Sequence, residues 1–165
     1  MIPINVNYAT NTPYPGCILR PARADDMPTI HHYISIARLD PTQLRWSQFW
    51  VIQGEELIAF GQLRNFPGVQ ELGSLFVAPA WRGRGFGTYL AQHLIRQATQ
   101  PLYLERRADK SATFYARLGF VPVPWQAVPS PLKWKFGLTH LLAKLRHISL
   151  VVMHYRGAFD EKTPK

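Results

Sequence analysis

Between Phe49 and Val77 the chain reads "FWVIQGEELIAFGQLRNFPGVQELGSLFV", three runs of aliphatic, aromatic and β-branched residues separated at Gly54-Glu55-Glu56 and at Pro67-Gly68. Runs of that length between turn residues predict three consecutive antiparallel strands. Upstream, "ILRPARADDMPTIHHYI" predicts a strand and then a helix entered near Asp25 or Asp26, where an acidic side chain can serve the unpaired N–H groups of a first turn. Downstream the apolar period lengthens: Leu90 and Leu94 stand one helical turn apart, predicting a helix that follows the third strand closely. "PLYLERR" then predicts a short strand and "SATFYARLGF" a short helix.

Beyond Val123 the pattern becomes irregular. "PVPWQAVPSP" holds four prolines in ten residues, which excludes regular helix and a central strand because proline lacks the N–H that either would use. "LKWKFGLTHLLAKLRH" places Trp134, Leu138, Leu141, Leu142 and Leu145 on one helical stripe, with Lys133, Lys135, Lys144 and Arg146 largely off it and Gly137 expected to interrupt it. "ISLVVMHYR" predicts a last strand that pairs with the one around Phe120 to Val123. Two readings of the intervening segment compete. The preferred one is a lid that buries Trp125, Trp134 and Phe136 over a substrate pocket; the other is a basic amphipathic surface, from Leu132 to His147, for a membrane or a partner.

A chain of 165 residues should bury roughly 70% of its unfolded surface, enough for one core. One domain is expected over 17–157, with 1–16, rich in Asn, Thr and Pro, and 158–165 as tails. The single cysteine, Cys17, excludes an internal disulfide, and no metal-ligand spacing appears, so no metal is expected. The first residues lack the basic-then-apolar pattern of an export signal, and no apolar run approaches a membrane span, so a cytoplasmic location is expected. Nineteen Lys and Arg stand against ten Asp and Glu, and no acidic residue falls between Asp109 and Asp160. A field of that sign favours polyanions of any kind.

The densest chemical signal is "VAPAWRGRGFGTYLAQHLI", where Arg82 to Gly87 holds two arginines and three glycines at the start of the predicted helix. Glycine is useful where backbone must approach a ligand or take φ > 0. A helix start offers unpaired N–H groups and a partial positive charge, so the ligand should be an anion such as phosphate. A nucleotide P-loop would need a Gly-Lys-Ser/Thr ending, yet no lysine precedes Lys110. A dinucleotide fingerprint would need a third glycine where Thr88 stands, and arginine-glycine tracts that bind RNA are repetitive and disordered.

Arg82-x-x-Gly85-x-Gly87 resembles the pyrophosphate loop of the GNAT acetyltransferases, the Gcn5-related N-acetyltransferase superfamily. The resemblance runs in order from Cys17 to Val123 and closes with "FYARLGF", similar to the family's Tyr-x-x-x-Gly-Phe ending. It implies an α/β (α+β) fold: a mixed, mostly antiparallel central sheet flanked by helices, with a strand, glycine loop and helix for coenzyme A. It implies coenzyme contacts from Leu75, Phe76 and Val77 and from Arg82, Gly83, Arg84, Gly85, Phe86, Gly87 and Thr88. It also implies that Tyr115 is the acid that protonates the departing thiolate. Glu71, eleven residues before Arg82, matches the general base of the histone-acetyltransferase branch; a structural, hydrogen-bonded glutamate is the alternative. Strict alternation would put Glu71, Gly73, Leu75 and Val77 on one face of the strand. One departure is Ala108, seven residues before Tyr115, where many members carry a coenzyme-contacting asparagine; Asp109, Lys110 or Ser111 are candidate substitutes.

The expected function is acetyl-CoA-dependent transfer of an acetyl group to a primary amine, with the acceptor a small amine, a polyamine or a protein amine. The contrasting class is a non-catalytic acyl-CoA-binding regulatory module of the same fold. A nucleic-acid partner is not expected. The oligomeric state is not legible in the sequence.

Overall fold

A two-residue β1 (Thr10–Asn11) leads to β2 (Ile18–Pro21) and α1 (Met27–Ala37), and the three apolar runs become β3 (Phe49–Gln53), β4 (Leu57–Phe66) and β5 (Val69–Val77). There follow α2 (Phe86–Gln97), β6 (Leu102–Arg107), α3 (Ala112–Arg117), β7 (Phe120–Pro122), α4 (Ser130–Leu145) and β8 (Leu150–Tyr155). These elements belong to a computed structural model that describes residues 10–108 and 112–157. The sheet is mixed and mostly antiparallel, with β5 and β6 a parallel pair. Two compact units are distinguished, one formed by residues up to Leu63 together with Ser74–Leu94, the other by Arg64–Gly73 and the residues from Ile95 on.

In the first unit β1 pairs with β2, β2 with β3 and β3 with β4, all antiparallel. The first residues of β4, from Leu57 to Gln62, are buried on both faces, as a strand covered on each side by a helix must be. On one side Ile30 and Ile34 of α1 share a core with Phe49, Val51, Phe60 and Phe76. On the other side α2 comes so close at Gly61 that an added Cβ would lie 2.6 Å from Leu94 Cδ1. The entry to α1 is fixed by Asp26, which accepts bonds from Arg20 Nη1 at 2.8 Å, Arg20 Nη2 at 2.9 Å and the Arg23 N–H at 2.7 Å. That bidentate pair holds the Asp26 carboxyl below its ordinary range.

Structure reaches into the expected 1–16 tail. The β1 backbone pairs in register Thr10↔Leu19 and Asn11↔Ile18, supplying partners for an otherwise open edge. Thr12 Oγ1 lies 3.0 Å from the carbonyl oxygens of both Tyr14 and Cys17 and accepts from the Tyr14 N–H at 3.1 Å. Residues 1–9 and 158–165 lie outside the described residues.

In the second unit β5 begins parallel to β6 with Gln70↔Leu102 and Glu71↔Tyr103, and β8 pairs antiparallel with both β6 and β7. The last strand thus meets the strand at Phe120, as its sequence predicts. Val69, Tyr103, Val128, Leu132, Phe136 and Val152 form the core. Burying each aliphatic or aromatic side chain of that group contributes about 1.5–3 kcal/mol. α4 begins two residues before the predicted Leu132, with Pro131 in its first turn, where the missing N–H costs nothing. It also runs unbroken through Gly137. The reason is local: the Trp125 ring packs over that position, 3.9 Å from where a Cβ would stand.

Candidate functional site

After β5 the chain makes a short 3₁₀ turn at Pro79–Trp81, and Arg82 to Gly85 form an exposed loop that runs straight into α2. Gly83 and Gly85 take φ of +74° and +87°, a region that penalises any Cβ. Arg82 Nε donates to the Val77 carbonyl at 3.0 Å while its guanidinium lies 5.7 Å from the Phe76 ring centroid. The Arg84 guanidinium lies 5.1 Å from the Trp81 ring centroid. Both arginines are therefore positioned by aromatic and backbone contacts yet remain open to solvent. The first turn of α2, Phe86 to Thr88, contributes N–H groups that have no partner within the helix and carries no acidic side chain. Two fixed cations beside a helix start are the features that favour an anion.

Tyr14 is a part of this loop that the sequence reading missed. Its ring stacks on Phe86 with centroids 4.0 Å apart and meets Tyr89 edge-on at 6.1 Å. Its hydroxyl lies 2.7 Å from the point a Cβ on Gly85 would occupy. Gly85 is thus required twice, by φ and by space. The available signal was an aromatic locked between Pro13 and Pro15 and followed by Gly16.

The alternation expected along β5 breaks at Ser74, whose φ is +48°. A non-glycine residue held there costs on the order of 1–3 kcal/mol, and such outliers gather where backbone is shaped for a ligand. Beyond it Leu75 packs at Gly61 beside Leu90, while Phe76 stacks on Phe60 at 5.1 Å.

Glu71, in the second unit, is buried and fully engaged. Arg64 Nη1 donates to its Oε1 at 3.0 Å, and Lys135 Nζ of α4 lies 2.6 Å from Oε1 and 2.5 Å from Oε2. Gly73 makes room for the arginine, since a Cβ there would lie 2.6 Å from Arg64 Nη1. The strand's one carboxylate thus neutralises two cations, one of them 64 residues away in sequence.

Tyr115 sits on α3, half-buried and edge-to-face with Phe120 at 6.0 Å. Burial pushes its hydroxyl pKa up, with Arg106 nearby opposing the shift, so the phenol holds its proton firmly. The glycine of the "FYARLGF" signature acts on the backbone: Gly119, at φ +98°, ends α3 and turns the chain into β7. Ala108 at the departure from the family pattern donates its N–H to the Ser149 carbonyl at 2.9 Å. Asp109, Lys110 and Ser111 lie outside the described residues.

The lid expectation meets a different arrangement. Phe136 is buried, but Trp134 is 88% exposed and Trp125 is 39% exposed, with the Trp125 ring over Gly137 and 5.2 Å from His140. The stripe faces out because Leu132, Phe136 and Ala143 on the opposite side of α4 already fill the core contact. Among the described residues no group of three or more His, Cys, Asp or Glu could hold a metal ion.

Residues 45–122 match the family described as "Acetyltransferase (GNAT) domain". That match runs from β3 to β7, a little under half of the chain, and over this span the chain is similar to a GNAT domain. Solved structures agree in fold. The N-acetylglutamate synthase from Neisseria gonorrhoeae complexed with coenzyme A and N-acetyl-glutamate is similar over 85% of this chain and 35% of its own, with TM-score 0.66 and 18% identity. The chain therefore spans about a third of that synthase. Rv2747 from Mycobacterium tuberculosis, in complex with CoA, is similar over 83% of this chain and 97% of its own, with TM-score 0.68 and 19% identity. The ribosomal-protein-S18-alanine N-acetyltransferase from Escherichia coli is similar over 90% of this chain and 99% of its own, with TM-score 0.58 and 16% identity. No curated protein matches the chain in sequence.

Proposed function

We propose that the protein is an acetyl-CoA-dependent N-acetyltransferase that moves an acetyl group to a primary amine. The observation that carries this reading is the loop from Arg82 to Gly87, with two exposed guanidinium groups, two left-handed glycines and a helix start free of acidic side chains. Arg82 to Thr88 fit a pyrophosphate, and the backbone of Leu75, Phe76 and Val77 beyond the Ser74 irregularity fits an extended pantetheine arm. Bound acetyl-CoA supplies an activated acyl group whose leaving group is a thiolate. As the new N–C bond forms and the C–S bond breaks, the sulfur needs a proton, and the family resemblance gives the role of donor to Tyr115. Its raised pKa keeps that proton in place until then.

Glu71 is better suited to holding α4 against β5 than to acting as the base. Accepting a proton would weaken the ion pairs that Glu71 makes with both Arg64 and Lys135 in a buried setting, which costs stability. The amine then enters neutral and loses its proton to water. One similar structure holds N-acetyl-glutamate and another is named for an alanine acceptor, so α-amines lead the acceptors to screen. Purified protein should release free thiol from acetyl-CoA when a matching amine is supplied. Binding of acetyl-CoA without thiol release across small amines, polyamines and peptides would assign the fold to a non-catalytic acyl-CoA-binding role instead.

A further inference from the structure

Six of the eight large apolar side chains exposed on the described surface lie between Trp125 and Leu145. Trp134 is 88% exposed, Leu145 73%, and Leu138, Leu141 and Leu142 each more than half. At about 100° per residue these five occupy a sector roughly 100° wide and, at 1.5 Å per residue, roughly 16 Å long. Lys133 and Lys144 fall on one flank of that sector and Arg146 on the other. The buried side of the same helix is Leu132, Phe136 and Ala143, about 150° around from the middle of the stripe. α4 is thus apolar on two faces, and only one of them is used by its own core.

We propose that the outer face of α4 is a docking surface for an anionic lipid bilayer, on which the helix lies in the plane of the interface. Trp134 and the four leucines enter the boundary between headgroups and acyl chains, while Lys133, Lys144 and Arg146 reach the lipid phosphates from both flanks. No helix among the described residues is long and apolar enough to cross a membrane, so the contact is peripheral. Charge decides the occupant. From Lys110 to Phe159 the sequence has no acidic residue, so a second copy packed face to face would oppose cations with cations and bring no carboxylate from this segment to meet them. An anionic bilayer satisfies the apolar stripe and both flanks together. The proposal does not rest on the proposed chemistry and stands or falls independently of it.

The test is co-sedimentation of the full chain with vesicles of phosphatidylcholine alone or mixed with phosphatidylglycerol. Binding is expected to the mixed vesicles, to weaken as salt rises, and to fall by roughly tenfold or more in Leu138→Glu, which introduces a charge into the stripe. Lys144→Glu combined with Arg146→Glu should weaken binding to the mixed vesicles and leave the weak binding to phosphatidylcholine unchanged. All three positions are exposed, so the melting temperatures should stay near that of the parent. Absence of binding to the mixed vesicles, or binding indifferent to both sets of substitutions, overturns the proposal. So does a concentration-dependent dimer in lipid-free solution that Leu138→Glu dissolves, which would assign the face to a second copy.

Discussion

The glycine loop and the buried cluster around Glu71 are both built on β5, yet they came into being by opposite means. The loop draws mostly on neighbours in sequence, Val77, Trp81, Arg82 and Arg84, with two glycines whose left-handed φ is written into their identity, and takes Tyr14 alone from far upstream. The Glu71 cluster joins Arg64, seven residues away, to Lys135, 64 residues away. A site made by local spacing can be read as a motif, whereas one made by distant chain segments has no local signature. The same contrast predicts how each responds to substitution. Changes in the loop should act on coenzyme affinity, with a local strain cost at Gly85, and changes in the cluster should act on the fold first.

The largest expected effect is at the loop. Gly85→Val places a side chain at φ +87° and into the Tyr14 hydroxyl, and it should abolish the rise in melting temperature that acetyl-CoA gives the parent protein. A variant that still responds normally would show that the loop is a turn and not a binding site. Glu71→Leu is the counterpart: it removes the carboxylate that pairs with two buried cations and should lower stability by about 3–5 kcal/mol in denaturant unfolding. Glu71→Gln, a gentler change, should keep the acidic limb of the rate–pH profile in whatever activity remains. Disappearance of that limb would restore Glu71 to the role of base.

Tyr115→Phe should reduce turnover by roughly 10²-fold or more while leaving coenzyme binding nearly intact. Because burial raises this tyrosine above its ordinary value of 10.0, the parent's activity should fall only as pH climbs beyond that value, where the phenol can no longer donate. An alkaline limb set by Tyr115 that appears near neutrality would contradict the assignment. Asp26→Asn should cost about 1–3 kcal/mol at neutral pH through loss of a charge-assisted pair. The folded-state pKa lies below the ordinary 3.8, so the difference from the parent is complete above that value and disappears as pH falls through the lowered one. The smallest effect expected is a gain. In Gly137→Ala the new methyl meets the Trp125 ring at an ordinary 3.9 Å, and thermal unfolding should show about 0.5–1 kcal/mol of added stability.

Much of the fold was legible because each element carries its own signal. The turn at Pro67 and Gly68, the acid at the entry to α1 and the period change before Leu90 all lie within a few residues of what they decide. Three features were not legible, for physical reasons of different kinds. Tyr14 belongs to a Pro-rich stretch without periodicity, and only its stacking on Phe86 gives it a place. The Ser74 irregularity depends on a backbone angle that serine's identity does not announce. The outward face of α4 looked buriable because a stripe of leucines and tryptophan has the same pattern whether it meets a core or not. The opposite face, Leu132 with Phe136, had already taken the core contact.

The loop at Arg82 to Gly87 is proposed to hold acetyl-CoA for transfer to an amine. The most direct measurement follows free thiol released from acetyl-CoA by the parent protein, by Gly85→Val and by Tyr115→Phe across a panel of α-amines, polyamines and peptides. Release by the parent should depend on the amine, its loss in Gly85→Val should trace to coenzyme affinity, and its loss in Tyr115→Phe should trace to turnover. Equal release by all three proteins, or a parent whose melting temperature does not move with acetyl-CoA, would contradict that proposal.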